Sequence, residues 1–294
     1  MNTETFSLFD LAPGKLVAGR FRIVKPTRQS GLSSAFEAHD ERASGAAGRC
    51  ALVVFPGALF EGEKQAAEFR AAWKPWVAVA STHVCAAREV LAMPQNTSVL
   101  VTDIHDGPTL REWSKEHKLM TQEQVRTLGL GLLDGLCAIH EQGLVHGDIK
   151  PQTIVLASSK KNEMNAVLID GGITTGLWNA KHLGEHTALI GTPHYAPIEQ
   201  FGGESPDVQS DVYNLATVLF ECATGVLPWP GATMLEVFQA KLDKQAPSMR
   251  KRAPKIEIDP ALEAVIVKGV LADRRERYTT AGLFRDALAA VKSA

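Results

Sequence analysis

Apolar and polar positions alternate with two different rhythms along this chain. Over the first hundred residues the apolar stretches are short: 21–24, 34–38, 50–55 and 99–102. They carry β-branched or aromatic side chains with Gly and Pro between them, a pattern that predicts strands. One helix, from Glu61 to about Trp73, interrupts them before Pro75.

Beyond about residue 106 the period changes to that of helices, with start and stop signals. Thr121-Gln122-Glu123-Gln124 reads as a capping box, in which the Thr hydroxyl takes the N3 amide and Gln124 reaches back. Val125, Leu128, Leu132, Leu136 and Ile139 then form one apolar stripe, and Gly143 is a natural stop. Ser210 and Gly225 bracket a second helix, and Asp259-Pro260 opens a third, with Pro at the first helical position. Leu283, Phe284, Ala287, Leu288 and Val291 mark a final amphipathic helix. The expectation is an α+β, bilobal protein: a small β-rich N-lobe over 1–105, its first ten residues an extension, and a larger helical C-lobe over 106–294. A cleft between two such lobes is the expected ligand site.

Composition narrows the function classes. The 294 residues are 45% hydrophobic and 22% charged, and 31 basic residues against 33 acidic give a net charge of −2. Such a balance offers no reason to expect nucleic acid or an anionic membrane as a partner. Cys50, Cys85, Cys137 and Cys222 are far apart with no C-x-x-C pair, and no basic run precedes an apolar one in the first ten residues. Reduced thiols and a cytoplasmic location are expected. No window approaches the ~18 apolar residues of a membrane span.

The candidate chemistry is concentrated in Val145-His146-Gly147-Asp148-Ile149-Lys150-Pro151-Gln152-Thr153. This segment resembles the catalytic loop of Ser/Thr protein kinases, especially the bacterial kinases of eukaryotic type. Further resemblances follow in order. Ile169-Asp170-Gly171-Gly172 stands where the family has D-F-G, and Gly191-Thr192-Pro193-His194-Tyr195-Ala196-Pro197-Ile198-Glu199 looks like the end of an activation segment. Ser210-Asp211-Val212-Tyr213-Asn214-Leu215 resembles the central helix of the larger lobe, and Asp273 to Arg277-Tyr278 the late arginine motif. Leu11-Ala12-Pro13-Gly14 through Gly19-Arg20-Phe21-Arg22-Ile23-Val24 looks like the entry into the first strand of such kinases, so the resemblance covers about residues 11 to 292, and the order and spacing of its motifs identify the fold.

Phosphoryl transfer needs the phosphates held, their charge neutralised and the acceptor hydroxyl aligned. The resemblance assigns alignment to Asp148 and charge neutralisation to Lys150. It assigns a metal (Mg²⁺ or Mn²⁺, with ATP) to Asp170, with Thr153 where a second ligand, normally Asn, would be. Gly147 replaces the family's Arg, which serves mainly to dock a phosphorylated activation loop, so no such switch is expected. Gly171 replaces an aromatic that packs under the small lobe's helix. In that lobe Ala51-Leu52-Val53 aligns with A-x-K, putting valine in place of the phosphate-pairing lysine. Removing one such contact costs on the order of 3 kcal/mol of transition-state stabilisation. The helix's partner glutamate should fall near Ala71 or Ala72, with Glu68 nearby. The glycine-loop positions read Arg28, Gln29, Ser30, Gly31, Leu32 and Ser33, whereas a close backbone approach to phosphate calls for glycines. The hinge would run through Asp103-Ile104-His105 after a small Thr102, leaving room for an adenine.

The resemblance therefore implies a pseudokinase: a kinase-fold scaffold or allosteric regulator with little ATP binding or none, acting on a kinase, receptor or other signalling partner. The alternative is an active Ser/Thr kinase with a relocated cation, for which Arg28 and Lys25 are the candidates. Asp148 stays open between a catalytic and a structural role. His146 reads as a packed histidine, Asp211 as architecture, and Glu199 with Arg277 as a buried ion pair. His182 and His186, Thr174, Thr175, Thr187 and Thr192, and the basic run Arg250-Lys251-Arg252 with Lys255 all read as solvated loop.

Overall fold

The computed structural model describes residues 11–30, 32–157, 165–181, 193–242 and 246–292. The chain forms two compact units. The first comprises Met1–Val79, Cys85–Ile104 and Asn179–Lys181. The second comprises Ala80–Val84, His105–Trp178 and His182–Ala294. A short segment of the first hundred residues thus belongs to the second unit.

Six antiparallel strands build the first unit: β1 (Leu16–Val17), β2 (Phe21–Gln29), β3 (Ser34–Asp40), β4 (Arg49–Phe55), β5 (Ala87–Ala92) and β6 (Ser98–Thr102), in the order β1-β2-β3-β4-β6-β5. β2 runs straight through Pro26, which a sheet interior would reject. It is tolerated because the β2–β3 register shifts on either side of it. One sheet face packs Phe21, Ile23, Phe36, Cys50, Leu52, Val54, Val99 and Val101 into a core. The other receives helix α1 (Glu63–Trp73), whose Phe69 ring lies 4.9 Å from Phe55 and 5.5 Å from Phe60. β5 has weak strand character of its own; pairing with β6 imposes it.

The second unit is mainly helical: α2 (Leu110–His117), α3 (Gln122–Glu141), α4 (Ile173–Ala180, its last two residues counted with the first unit), α5 (Ile198–Phe201), α6 (Val208–Thr224), α7 (Met234–Lys241), α8 (Met249–Arg252), α9 (Pro260–Gly269) and α10 (Ala281–Ala289), with a hairpin of β7 (Ile154–Ala157) and β8 (Asn165–Leu168). The Thr121 capping box and the α3 stripe are as read from the sequence. α6 starts earlier than expected, because Asp207 is its cap and Ser210 its N3 partner, while Gly225 closes it at φ 72°. α2 and α7, absent from the sequence reading, open with capping boxes Thr109–Glu112 and Thr233–Glu236. The basic run 250–252 is helical in α8 instead of loop, with Arg252 donating to the Leu227 carbonyl at 3.0 Å and Arg250 pairing with Glu263 at 3.4 Å. Among the described residues no helix is long and apolar enough to cross a membrane, and all four cysteines are unbridged.

Candidate functional site

In the second unit the segment 145–153 is organised from α6. Asp211, fully buried, accepts the N–H of His146 and of Gly147, each at 2.8 Å, and lies 3.0 Å from His140 Nε2. His146 is fully buried too, with Nε2 3.0 Å from the Ile169 carbonyl, and burial pushes its pKa down, so it packs as a neutral ring. Between these anchors Lys150 donates to Asp148 at 2.5 Å. Burial raises the Asp148 pKa while the Lys150 ammonium opposes the rise.

Thr153, where a second metal ligand is expected, is engaged within its own loop. Its hydroxyl lies 2.9 Å from the Asp148 carbonyl and 3.1 Å from that of Lys150, and it accepts the Lys150 N–H at 3.1 Å. A hydroxyl so engaged ties the loop together. Asp170 follows at φ 64°, a left-handed conformation that Asp tolerates better than most side chains. Among the described residues no group of three or more His, Cys, Asp or Glu is arranged to hold a metal ion.

After Asp170 the chain turns directly into α4. Thr174 and Thr175, expected in a loop, are helical. Thr174 is buried and Thr175 donates to the Val145 carbonyl at 3.3 Å. The absent arginine at 147 has a steric reason here. Gly147 has φ +82°, and a Cβ on it would lie 2.5 Å from Thr175 Oγ1. His182, His186, Thr187, Gly191 and Thr192 lie outside the described residues.

In the first unit Val53 is buried in β4, opposite Ala35 on β3 and Leu100 on β6, with Arg28 opposite Ala35 in turn. These four residues form one lateral row. No acid of α1 reaches toward it: Ala71, Ala72 and Glu68 are exposed. The polar side chain that α1 buries is instead a cation, Arg70, paired with Glu63 and donating to Ser98 Oγ at 3.1 Å. The charge expected on this helix is thus reversed.

The turn joining β2 to β3 is closed by its own side chain. Ser30 Oγ accepts the N–H of Leu32 at 3.2 Å and of Ser33 at 3.0 Å, while Ser30 N donates to the Ser33 carbonyl at 2.8 Å. The Ser30, Leu32 and Ser33 amides are therefore already satisfied; Gly31 lies outside the described residues. Lys25 sits 3.4 Å from Glu37, which Arg49 also holds at 2.6 Å. At the other end of the sheet the Asp103 carbonyl accepts the Thr102 hydroxyl at 3.0 Å and the Cys85 thiol at 3.2 Å, and the Asp103 carboxylate takes Arg88 at 2.6 Å. His105, half-buried, belongs to the second unit. In the first unit, with valine in place of the lysine and the Leu32 and Ser33 amides occupied, the donors present do not fit a bound phosphate chain.

Residues 193–199 are braced from several helices. Arg277 and Glu199 form a bidentate pair at 2.6 and 3.0 Å, both side chains buried. Asn214 donates to the Tyr195 carbonyl at 2.8 Å, and Lys241 Nζ to the carbonyls of Pro193 (3.1 Å), His194 (3.3 Å) and Ala196. The Tyr195 hydroxyl lies 2.5 Å from both Arg111 and Glu221, and Arg111 reaches Glu221 at 3.1 Å. Burial, then the Glu221 carboxylate, pushes the Tyr195 pKa up, so this phenol stays protonated. Lys241, Arg111 and Glu221 carry no sequence signal for these roles, since their partners lie far away along the chain.

The family model described as protein kinase domain matches residues 65–289. The probable serine/threonine-protein kinase PknB of Lactococcus lactis is 25% identical over 267 residues, 90% of this chain and 41% of that protein. PknB of Mycobacterium leprae is 31% identical over 197 residues, 66% and 30% respectively. The chain thus spans less than half the length of these curated relatives. Among solved structures, the PknI kinase domain of Mycobacterium tuberculosis superposes with a TM-score of 0.71 at 18% identity, covering 95% of this chain and 98% of that one. Rad53 1-466, in complex with AMP-PNP, superposes with 0.73 at 16% identity over 92% and 65%. At those identities the likeness speaks to the fold.

Proposed function

Since the chain belongs to the protein kinase domain family, we propose that it is a degenerate member, a kinase-fold scaffold or allosteric regulator that binds ATP weakly or not at all. It works through a protein partner in the cytoplasm, with little or no phosphotransfer. The observation that carries this reading is Val53: an apolar side chain, 4% exposed, packed between Ala35 and Leu100 where the family has its phosphate-pairing lysine. Val53 cannot neutralise phosphate charge. The Ser30 turn and the exposed Ala71 and Ala72 support the same reading, since one withdraws backbone donors and the others stand where an acid would orient a lysine.

A second reading, an active Ser/Thr kinase with MgATP, is favoured by the Asp148–Lys150 pair. It needs a relocated cation. Arg28 shares the lateral row of Val53, and Lys25 lies 3.4 Å from Glu37.

Thermal unfolding with and without ATP, in Mg²⁺, Mn²⁺ or EDTA, separates the two, with Asp170→Ala as control. A ligand at 100 times its Kd adds about 2.7 kcal/mol, enough to raise the midpoint by several degrees. The proposal expects no metal-dependent shift of that size. A shift abolished by Asp170→Ala, with radiolabelled phosphate transfer lost in Asp148→Asn, would establish the second reading instead.

A further inference from the structure

Helix α2 sorts its charges. Arg111 and Lys115, four residues apart, lie on one stripe of the helix, and Lys118, just past its end, lines the same cavity. Glu112 and Glu116 fall on the neighbouring stripe, and Glu112 is turned back to its own cap, accepting the Thr109 N–H at 2.7 Å. Like charges four apart work against a helix, so this stripe is not there for the helix's own stability. It lines a cavity of about 390 Å³, with Leu119, Glu221 and Thr224 on the other sides.

Three cations therefore face one carboxylate, and that carboxylate is already engaged by Arg111 and the Tyr195 hydroxyl. Lys115 helps to draw down the Glu112 pKa, after that carboxylate's bonds to Thr109, while no salt bridge of Lys118 is found among the described residues. Helix C-termini attract cations, which accounts for lysines at 115 and at the C-cap 118 but not for Arg111 at the start of the helix. Lys118 sits at φ 60°, ψ −56°, at the centre of a γ-turn closed by Leu119 N donating to the His117 carbonyl at 2.7 Å. This form of the turn is rare and strained. Met120 N, donating to the Cys222 carbonyl at 3.1 Å, ties it to α6. Strain of this kind persists where the surroundings over-determine it, commonly at binding sites.

We propose that this cavity is a docking site for an acidic peptide segment of a partner protein, and that Arg111 couples its occupancy to residues 193–199. An incoming carboxylate or phosphoryl group is received by Lys115 and Lys118 and shares Arg111. That draws the guanidinium from Glu221 and Tyr195 and alters the bracing of 193–199. The inference rests on the reading that the chain acts through a protein partner, and it involves no nucleotide.

The test uses the full chain without nucleotide. Fluorescein-labelled octapeptides are titrated by anisotropy: one Glu-rich, one Glu-rich with a phosphoserine, and one with every Glu replaced by Gln. The acidic peptides should bind and weaken with salt, and the Gln peptide should not bind. The double variant Lys115→Ala/Lys118→Ala, confined to exposed side chains, should bind roughly tenfold more weakly. Glu221→Gln should bind more tightly, because it releases Arg111. Hydrogen exchange over 193–199 should change on binding in the wild type and not in Arg111→Ala. A tighter phosphoserine peptide would assign the site to phosphoryl groups, and equal affinity to carboxylates. Equal binding of the Gln peptide, or unchanged affinity in the double variant, would overturn the proposal. An unaltered affinity in Glu221→Gln would overturn the coupling. None of these results bears on nucleotide binding, so the two proposals fail separately.

Discussion

Lys241 is a cation in the core. Its ammonium has three protons and three carbonyl acceptors, from Pro193, His194 and Ala196, and lies 5.1 Å from the centre of the Tyr213 ring. Among the described residues no carboxylate forms a salt bridge with it. Burial, and then the charge of Arg277, brings its pKa down to about 7, with Glu199 opposing. In the unfolded chain it titrates near the ordinary lysine value of ~10.4. Between those values the unfolded state binds more protons, so this group's contribution to stability rises with pH. Below about pH 7 both states are charged and its cost is fully present. The denaturant midpoint of the wild type relative to Lys241→Met should therefore climb from pH 7 to 9 and be flat from pH 5 to 6.5. A flat difference throughout would mean that the three carbonyls hold the charged form. Val53 is the opposite case: its consequence could be read from its identity, because a missing charge needs no geometry to be noticed. The choice between Arg28 and Lys25 as a relocated cation needed the strand register.

Among the elements, α4 departs furthest from the sequence reading. Its residues look like loop because Gly171 and Gly172 precede it and threonines open it. Tertiary contact overrides that local preference, with Thr175 bonded to the Val145 carbonyl and Gly147 leaving room for it. Gly147→Arg, which restores the family's residue, should destabilise the protein. The left-handed conformation alone costs about 1–2 kcal/mol, and the side chain must also displace Thr175. Gly147→Ala carries the left-handed cost and the Cβ contact with Thr175 without the rest of the arginine side chain. Thermal unfolding, with hydrogen exchange over α4, checks both, and a Gly147→Arg protein as stable as wild type would show that α4 does not rest on this loop. Other elements were easier to read, since α3, α9 and α10 announce themselves through caps and apolar stripes. α2 and α7 carry equally legible T-x-x-E boxes, but over eight residues the apolar period is too short to stand out.

For the molecule as a whole, the two units differ in how much core they own. The first rests on one sheet and the Phe55–Phe60–Phe69 cluster, the second on many buried helices. Smaller cores are less stable. Phe69→Ala, which removes the centre of that cluster, should cost about 3–5 kcal/mol. Amides of β3, β4 and β6 should lose protection while those of α3 and α6 keep it, measured by hydrogen exchange. Equal loss in both units would mean that they unfold as one.

Fold class and the order of the motifs were legible in the chain because caps, stripes and turn residues act over a few positions, and because Asp148, Lys150, Asp170 and Val53 are identities before they are geometries. What those residues touch was not legible. The Thr153 hydroxyl bound into its loop, the Arg70 cation in place of an acid, the Ser30-closed turn and the Lys241 ammonium became visible only in three dimensions. Arg111 finds Tyr195 and Glu221 across 84 and 110 residues of sequence. Hydrogen bonds at that range depend on how whole elements pack, and no local pattern encodes them.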